Sequence, residues 1–389
     1  MKVNDEYKIV IDNEDYIGNG VTRINNFVTF ILNGLKGEIV RVKIIYIHKR
    51  FAIAEIIEQI TSSEHRIKPI CNNYNKCGGC NFLHTTLENE INIKKEYLER
   101  LFNRKIDYYQ SKNEYNYRNK VVLHVLEGKL GYFNDKTHDI CEFDSCMLLN
   151  PKINSKINDL KKYNLNGINE ILIRCINNEI MINISGNIKD NKLKDIDCDS
   201  LYINNNYIKG KEYLIDEINN LKFSIYPNSF YQVNREVMSK IYDKAKEYAG
   251  RGNNLLDLYC GTGTIGIWMK DNYKNITGVE INKDSIKNAN INKKLNNLKN
   301  INFICGDAKI AKGNYDTIIV DPPRNGLSNN VIDFLNKSNS DKIIYISCNP
   351  KTLQRDIELL NKYELKNISA YSMFPRTKHI ECVCLLERN

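Results

Sequence analysis

From residue 223 to the end of the chain, short apolar runs alternate with amphipathic ones, and this alternation constrains the fold more than any other feature. Residues 254–259, 276–280, 301–305, 315–320 and 342–347 read as strands, and 235–248 and 284–295 as helices. Strands that alternate with helices predict a doubly wound, mainly parallel sheet. The first strand runs into Cys260-Gly261-Thr262-Gly263-Thr264-Ile265-Gly266, a G-x-G-x-x-G spacing. Glycines there permit a tight turn and close backbone approach at a strand's carboxyl end, where open α/β sheets take their ligands. The motif alone fits NAD, FAD or S-adenosylmethionine.

The next strand ends decide among these. Glu280 ends the second strand, where a carboxylate accepts both hydroxyls of a ribose, and Asp307 follows the third, within reach of an adenine amino group. The strand over 315–320 stops in Asp321-Pro322-Pro323-Arg324. Two prolines end a strand abruptly and stiffen the loop behind it. Methyltransferases acting on nucleobases commonly carry an acid or amide before two prolines here, whereas dehydrogenases do not need the motif.

The strand over 342–347 ends in Ser347-Cys348-Asn349-Pro350, which puts a thiol beside the cofactor crevice as a nucleophile would be placed. Carbon 5 of uracil is too poor a nucleophile to accept a methyl group directly. A thiolate adding to carbon 6 turns the ring into an enolate and makes carbon 5 electron-rich. The proton on carbon 5 must then leave to a base. Glu381, near the start of a final apolar strand in His379-Ile380-Glu381-Cys382-Val383-Cys384, is the favoured base.

Upstream, residues 1–60 read as about five short β-rich runs broken by Gly18, Gly20, Gly34 and Gly37, the pattern of a small oligonucleotide-binding barrel. Residues 61–222 mix strands and helices in an α+β domain, and 223–389 form the α/β domain. The net charge of +9 suits a polyanionic partner; it is zero over 1–60, +2 over 61–222 and +7 over 223–389. No run is apolar and long enough to span a bilayer, and the acidic start does not read as an export signal, so a cytoplasmic chain with reduced thiols is expected. Cys71, Cys77 and Cys80, with Gly78 and Gly79 between the last two, suggest metal ligation. Zinc and an iron–sulfur cluster both fit thiolates, and Cys141 and Cys146 are candidates for a fourth ligand.

Together these motifs resemble the uracil-5 RNA methyltransferases, as do Asn228-Ser229-Phe230-Tyr231-Gln232-Val233-Asn234 and Tyr117-Arg118-Asn119-Lys120. The resemblance implies a Rossmann-like methyltransferase sheet with a last antiparallel strand, preceded by a TRAM barrel. It implies Cys348 as nucleophile and Glu381 as base. Gln232, Tyr259, Glu280, Asp307 and Asp321 would contact S-adenosyl-L-methionine; Thr264 stands where some relatives have an Asn. It also implies a [4Fe-4S] cluster on Cys71, Cys77, Cys80 and Cys146, because Cys146-Met147-Leu148-Leu149-Asn150-Pro151 matches the stretch with the distant fourth cysteine. The TRAM-like domain and the cysteines favour 23S rRNA over tRNA, with the protein a monomer. An exocyclic-amine methyltransferase would need no Cys348, and a non-catalytic RNA-binding assembly factor would not need the cofactor.

Overall fold

The computed structural model describes all residues except 135, 136, 138, 311 and 312. The chain packs as two compact units. One is Met1–Gln110 with Asn134–His138 and Phe374–His379; the other is Ser111–Phe133, Asp139–Met373 and Ile380–Asn389.

In the first unit, Glu6–Val10, Asn13–Glu14, Gly20–Ile24, Phe27–Ile31, Ile39–Ile47 and Ala52–Thr61 form a six-stranded sheet in the strand order 1-5-6-4-3-2. Alternation puts Ile11, Ile24, Ile31, Val40, Val42, Ile44 and Ala54 in one core. Glu38 is buried, and Arg66 Nε donates to it at 2.7 Å, so the carboxylate enters the interior with its countercharge. A helix follows at Leu87–Phe102, capped by Thr86 and closed by Asn103 in the left-handed region. Its buried Glu90 accepts from Lys94 Nζ at 2.6 Å and from Arg376 N at 3.0 Å.

The second unit holds two main sheets. The central sheet orders Ile140–Glu142, Lys129–Phe133, Lys120–Leu126, Ile168–Ile176, Glu179–Gly186, Ser200–Ile203 and Asn206–Gly210 side by side. The helix Pro151–Leu160 buries Ile153, Ile157 and Leu160 in its core.

In the catalytic sheet the order is Ile301–Cys305, Tyr273–Glu280, Gly252–Leu258, Thr317–Val320, Lys342–Ser347, Glu381–Arg388 and Tyr363–Tyr371. The first five are parallel, and Glu381–Arg388 runs antiparallel between Lys342–Ser347 and Tyr363–Tyr371. Chain order reverses between Gly252–Leu258 and Thr317–Val320, so the crevice at their carboxyl ends is the expected ligand site. Among the described residues, no helix is long and apolar enough to cross a membrane.

Candidate active site

The glycine-rich turn stands at that crevice. Tyr259, Gly261 and Gly263 all have positive φ, at 62°, 53° and 78°. Tyr259 is not glycine, and such a backbone persists only where its surroundings hold it. A Cβ on Gly263 would lie 2.4 Å from Phe303 Cζ, so the turn has no room for a side chain there. Gly266 N–H donates to Asp257 Oδ2 at 2.9 Å, which ties the following helix to the strand. Glu280 accepts from Gly261 N at 3.3 Å and Asn282 N at 2.8 Å, and Asp307 is exposed beyond its strand. A glycine cradle flanked by carboxylates at successive strand ends fits the methionine, ribose and adenine parts of S-adenosyl-L-methionine.

Gln232 is buried in a loop held from two sides. Asn119 Nδ2 donates to Gln232 O at 3.1 Å, and Asn119 N to Val233 O at 3.1 Å. Ser229 Oγ donates to Asn288 Oδ1 at 2.5 Å, and Tyr231 Oη to Asp216 Oδ2 at 2.6 Å. With the loop anchored on both flanks, the ring of Phe230 is left 66% exposed. The sequence reading assigned Phe230 no role; its signal was an aromatic between polar residues of a loop, the kind of ring on which a base stacks.

Cys348 follows the strand Lys342–Ser347, where Asn349 caps the helix Pro350–Leu359. Ser347 pairs with Cys382 across the antiparallel ladder, which brings the next residue on each strand, Cys348 and Glu381, to the same end. The Asp321 loop is tied to the cysteine loop, because Asn349 Nδ2 and Thr352 Oγ1 donate to Arg324 O at 3.0 and 3.2 Å. Asp356 takes Leu327 N and Tyr345 Oη, each at 2.7 Å, and fixes the far end of the same loop.

Burial raises the acidic groups of Cys348, Glu381 and Asp321. The Cys348 thiol is pushed up to about 11 by burial, then by Glu381 and Asp321, with Arg324 opposing. Burial, with Asp321 adding, holds Glu381 well above the carboxylate range, again against Arg324. Burial takes Asp321 up to about 7. The sequence reading gave Arg324 no role, yet it is the cation that opposes the rise at both Cys348 and Glu381.

Asp257 is pushed up to about 8 by burial, against the hydrogen bond from Gly266. Its folded form therefore keeps a proton that the unfolded chain releases near pH 4. This contribution is present below that pH and is lost as pH rises through about 8, by about 1.4 kcal/mol per pH unit. Asn at this position still accepts from Gly266 and has no such penalty. Asp257→Asn should gain roughly 2 to 3 kcal/mol relative to the parent between pH 6 and 8.5. Denaturant midpoints at the two pH values check this; an unchanged difference would mean that Asp257 is already ionised at pH 6.

The four expected cluster ligands are divided between the two units. Cys71, Cys77 and Cys80 lie partly buried in a turn-rich segment of the first unit. Cys146 belongs to the second unit, where Asn154 bonds its backbone N and O at 2.9 and 3.0 Å and its side chain packs on the central core. Among the described residues, no three His, Cys, Asp or Glu side chains form a group able to hold a metal ion. No step below passes through a cluster.

A parallel sheet with a glycine turn, carboxylates at its strand ends, and an Asp-Pro-Pro loop tied to a thiol defines a methyltransferase acting on nucleobases. Comparison with known proteins narrows this. Residues 182–310 and 305–389 match the tRNA (Uracil-5-)-methyltransferase family, and residues 1–57 match the TRAM domain. An uncharacterized RNA methyltransferase of Clostridium acetobutylicum is 33% identical over 100% of this chain and 98% of its own length. Another, from Staphylococcus aureus strain N315, is 33% identical over 95% of each chain. The structure of Pyrococcus abyssi tRNA (uracil-54, C5)-methyltransferase with S-adenosyl-L-homocysteine has the same fold, with a TM-score of 0.83, 24% identity, and coverage of 98% of this chain and 100% of that one. The chain belongs to the S-adenosylmethionine-dependent RNA uracil-5-methyltransferases, with an N-terminal TRAM domain.

Proposed function

We propose that this enzyme, acting as a monomer in the cytoplasm, forms 5-methyluridine in 23S rRNA through a covalent adduct on Cys348. The observation that carries the reading is the pairing of Ser347 with Cys382, which sets Cys348 and Glu381 at one end of adjacent strands beside Asp321. The Cys348 thiolate bonds to carbon 6, and the carbon 5–carbon 6 electron pair moves toward the carbon 4 oxygen. S-adenosyl-L-methionine, when bound by Gln232, Tyr259, Glu280, Asp307 and Asp321, supplies the methyl group that carbon 5 takes. Glu381 removes the carbon 5 proton, the double bond re-forms, and the sulfur leaves. The target uridine must leave its stack to reach the thiol, and the exposed Phe230 ring can support it there.

The TRAM domain and the Cys71, Cys77 and Cys80 motif favour 23S rRNA, with tRNA as the alternative. A [4Fe-4S] cluster on those cysteines and Cys146 belongs to the same proposal on the strength of the resemblance alone. The test is to incubate anaerobically purified protein with labelled S-adenosylmethionine and unmodified 23S rRNA or tRNA transcripts, then identify the labelled nucleoside by mass spectrometry. Label in 5-methyluridine from rRNA is expected. The same product from tRNA alone would overturn the substrate, and a methylated purine would overturn the chemistry. Iron analysis of that preparation and of Cys77→Ser decides the cluster: iron present in the parent and lost in the variant is expected, and equal iron in both would remove it.

A further inference from the structure

The first unit contains a cavity of about 670 Å³, whose walls come from the TRAM sheet and from the segment around Cys77 and Cys80. Pockets of this size hold drug-sized or nucleotide-sized ligands. The residues lining it include three cations, Arg66, Lys68 and Lys76, against one carboxylate, Glu55. Arg66 is already committed to the buried Glu38, which leaves Lys68 and Lys76, both exposed, as the positive rim.

The deeper wall is of another kind. His84 lines the cavity and is 1% exposed, its ring flanked by Tyr74 and Phe82 at centroid distances of 6.1 and 6.5 Å. Tyr74 Oη engages its Nδ1 at 2.7 Å. Its Nε2 has no hydrogen-bond partner among the described residues. Buried ring nitrogens are normally satisfied, so an unpaired one on a residue that lines a cavity points to a polar edge supplied from outside the chain. Ile67 and Pro69 add apolar surface beside it. A simple anion would not use the apolar wall, and an apolar ligand would not use the lysines or the imidazole. A nucleotide uses all three: its base face meets the apolar and aromatic wall, its base edge the ring nitrogen, and its phosphate the rim.

We propose that this cavity binds one unstacked nucleotide of the RNA substrate, with the base edge against His84 and the phosphate toward Lys68 and Lys76. The proposal rests on the RNA reading above and adds a second recognition site, in the first unit, to the one that takes the reacting uridine.

The test uses the full chain carrying Lys68→Ala and Lys76→Ala together. Both side chains are exposed, so the fold should tolerate their loss. The control is Lys274→Ala with Lys299→Ala, which removes the same charge from an exposed part of the catalytic unit. With the RNA transcript that the parent methylates, the Lys68/Lys76 variant should raise KM about tenfold and leave kcat and S-adenosylmethionine binding unchanged. Its slope of log affinity against log salt should be shallower by about 2, one for each phosphate that a lysine no longer neutralises. The control pair should change neither quantity to this extent. An unchanged KM and salt slope in the Lys68/Lys76 variant would overturn the proposal. Loss of uridine or adenosine monophosphate binding with RNA KM unchanged would assign the cavity to a free nucleotide and overturn the RNA assignment. A parent that methylates no RNA uridine would instead defeat the functional reading itself, before the variants are compared.

Discussion

Cys348→Ala should abolish 5-methyluridine formation, with a loss on the order of 10^4-fold or more, because the variant lacks the sulfur on which the adduct that activates carbon 5 forms. S-adenosylmethionine binding should survive, since the glycine turn, Glu280 and Asp307 lie at the ends of other strands. RNA carrying 5-fluorouridine at the target separates this role from a structural one. Fluorine cannot leave carbon 5 as a proton does, so the parent should be trapped as an adduct that survives denaturing electrophoresis, and Cys348→Ala should give none. The environment of the thiol adds a pH dependence. A thiol held at about 11 is roughly one part in 10^4 ionised at pH 7, so kcat/KM should rise about tenfold per pH unit from 7 to 9. Glu381, also raised, must lose its proton before it can act as base, and this works in the same direction. A Cys348→Ala enzyme that still makes 5-methyluridine would remove the covalent route.

The catalytic sheet was largely legible in the sequence because period and punctuation agreed there. Expected strands at 301–305 and 342–347 are Ile301–Cys305 and Lys342–Ser347, and the helix expected at 235–248 is Arg235–Ala249. The central parallel strands Thr317–Val320 and Lys342–Ser347 are buried on both faces and read as continuous apolar runs, whereas Ile301–Cys305 at the edge alternates buried with exposed residues. The antiparallel placement of the last strand came from the resemblance, since nothing in the spacing fixes the direction in which Glu381–Arg388 joins Lys342–Ser347.

Residues 115–222 gave no order. Their sheet is built by pairings such as Glu179–Gly186 with Ser200–Ile203, parallel and joined through a short 3-10 turn, which no local period records. The polar ties of the site were equally hidden. Asn119 reaches Gln232 across 113 positions, and Asn349 reaches Arg324 across 25. Motif reading found these residues but not the hydrogen bonds that make them one site. The unpaired nitrogen of His84 has no sequence signature, because an unsatisfied atom is visible only once its neighbours are in place.

Glu381→Gln should stop the reaction at a later step than Cys348→Ala does, and the contrast is the sharper test of the mechanism. Gln is nearly isosteric with a neutral carboxyl, and Glu381 is only 5% exposed and held far above its ordinary value, so the packing should tolerate the amide. Adduct formation and methyl transfer need only Cys348 and the bound cofactor. Removal of the carbon 5 proton needs a base, and an amide is not one. Turnover should fall by roughly 10^2- to 10^4-fold, the range for loss of a general base. An RNA–protein adduct should accumulate on ordinary, unfluorinated RNA. Mass spectrometry of that adduct should find the methyl group already on the trapped base, and Cys348→Ala combined with Glu381→Gln should give no adduct. If Glu381→Gln is slow but accumulates nothing, Glu381 acts before the adduct forms, by helping to deprotonate the thiol, and another group takes the carbon 5 proton. Asp321, beside both residues and poised at about 7, would then be the group to replace next.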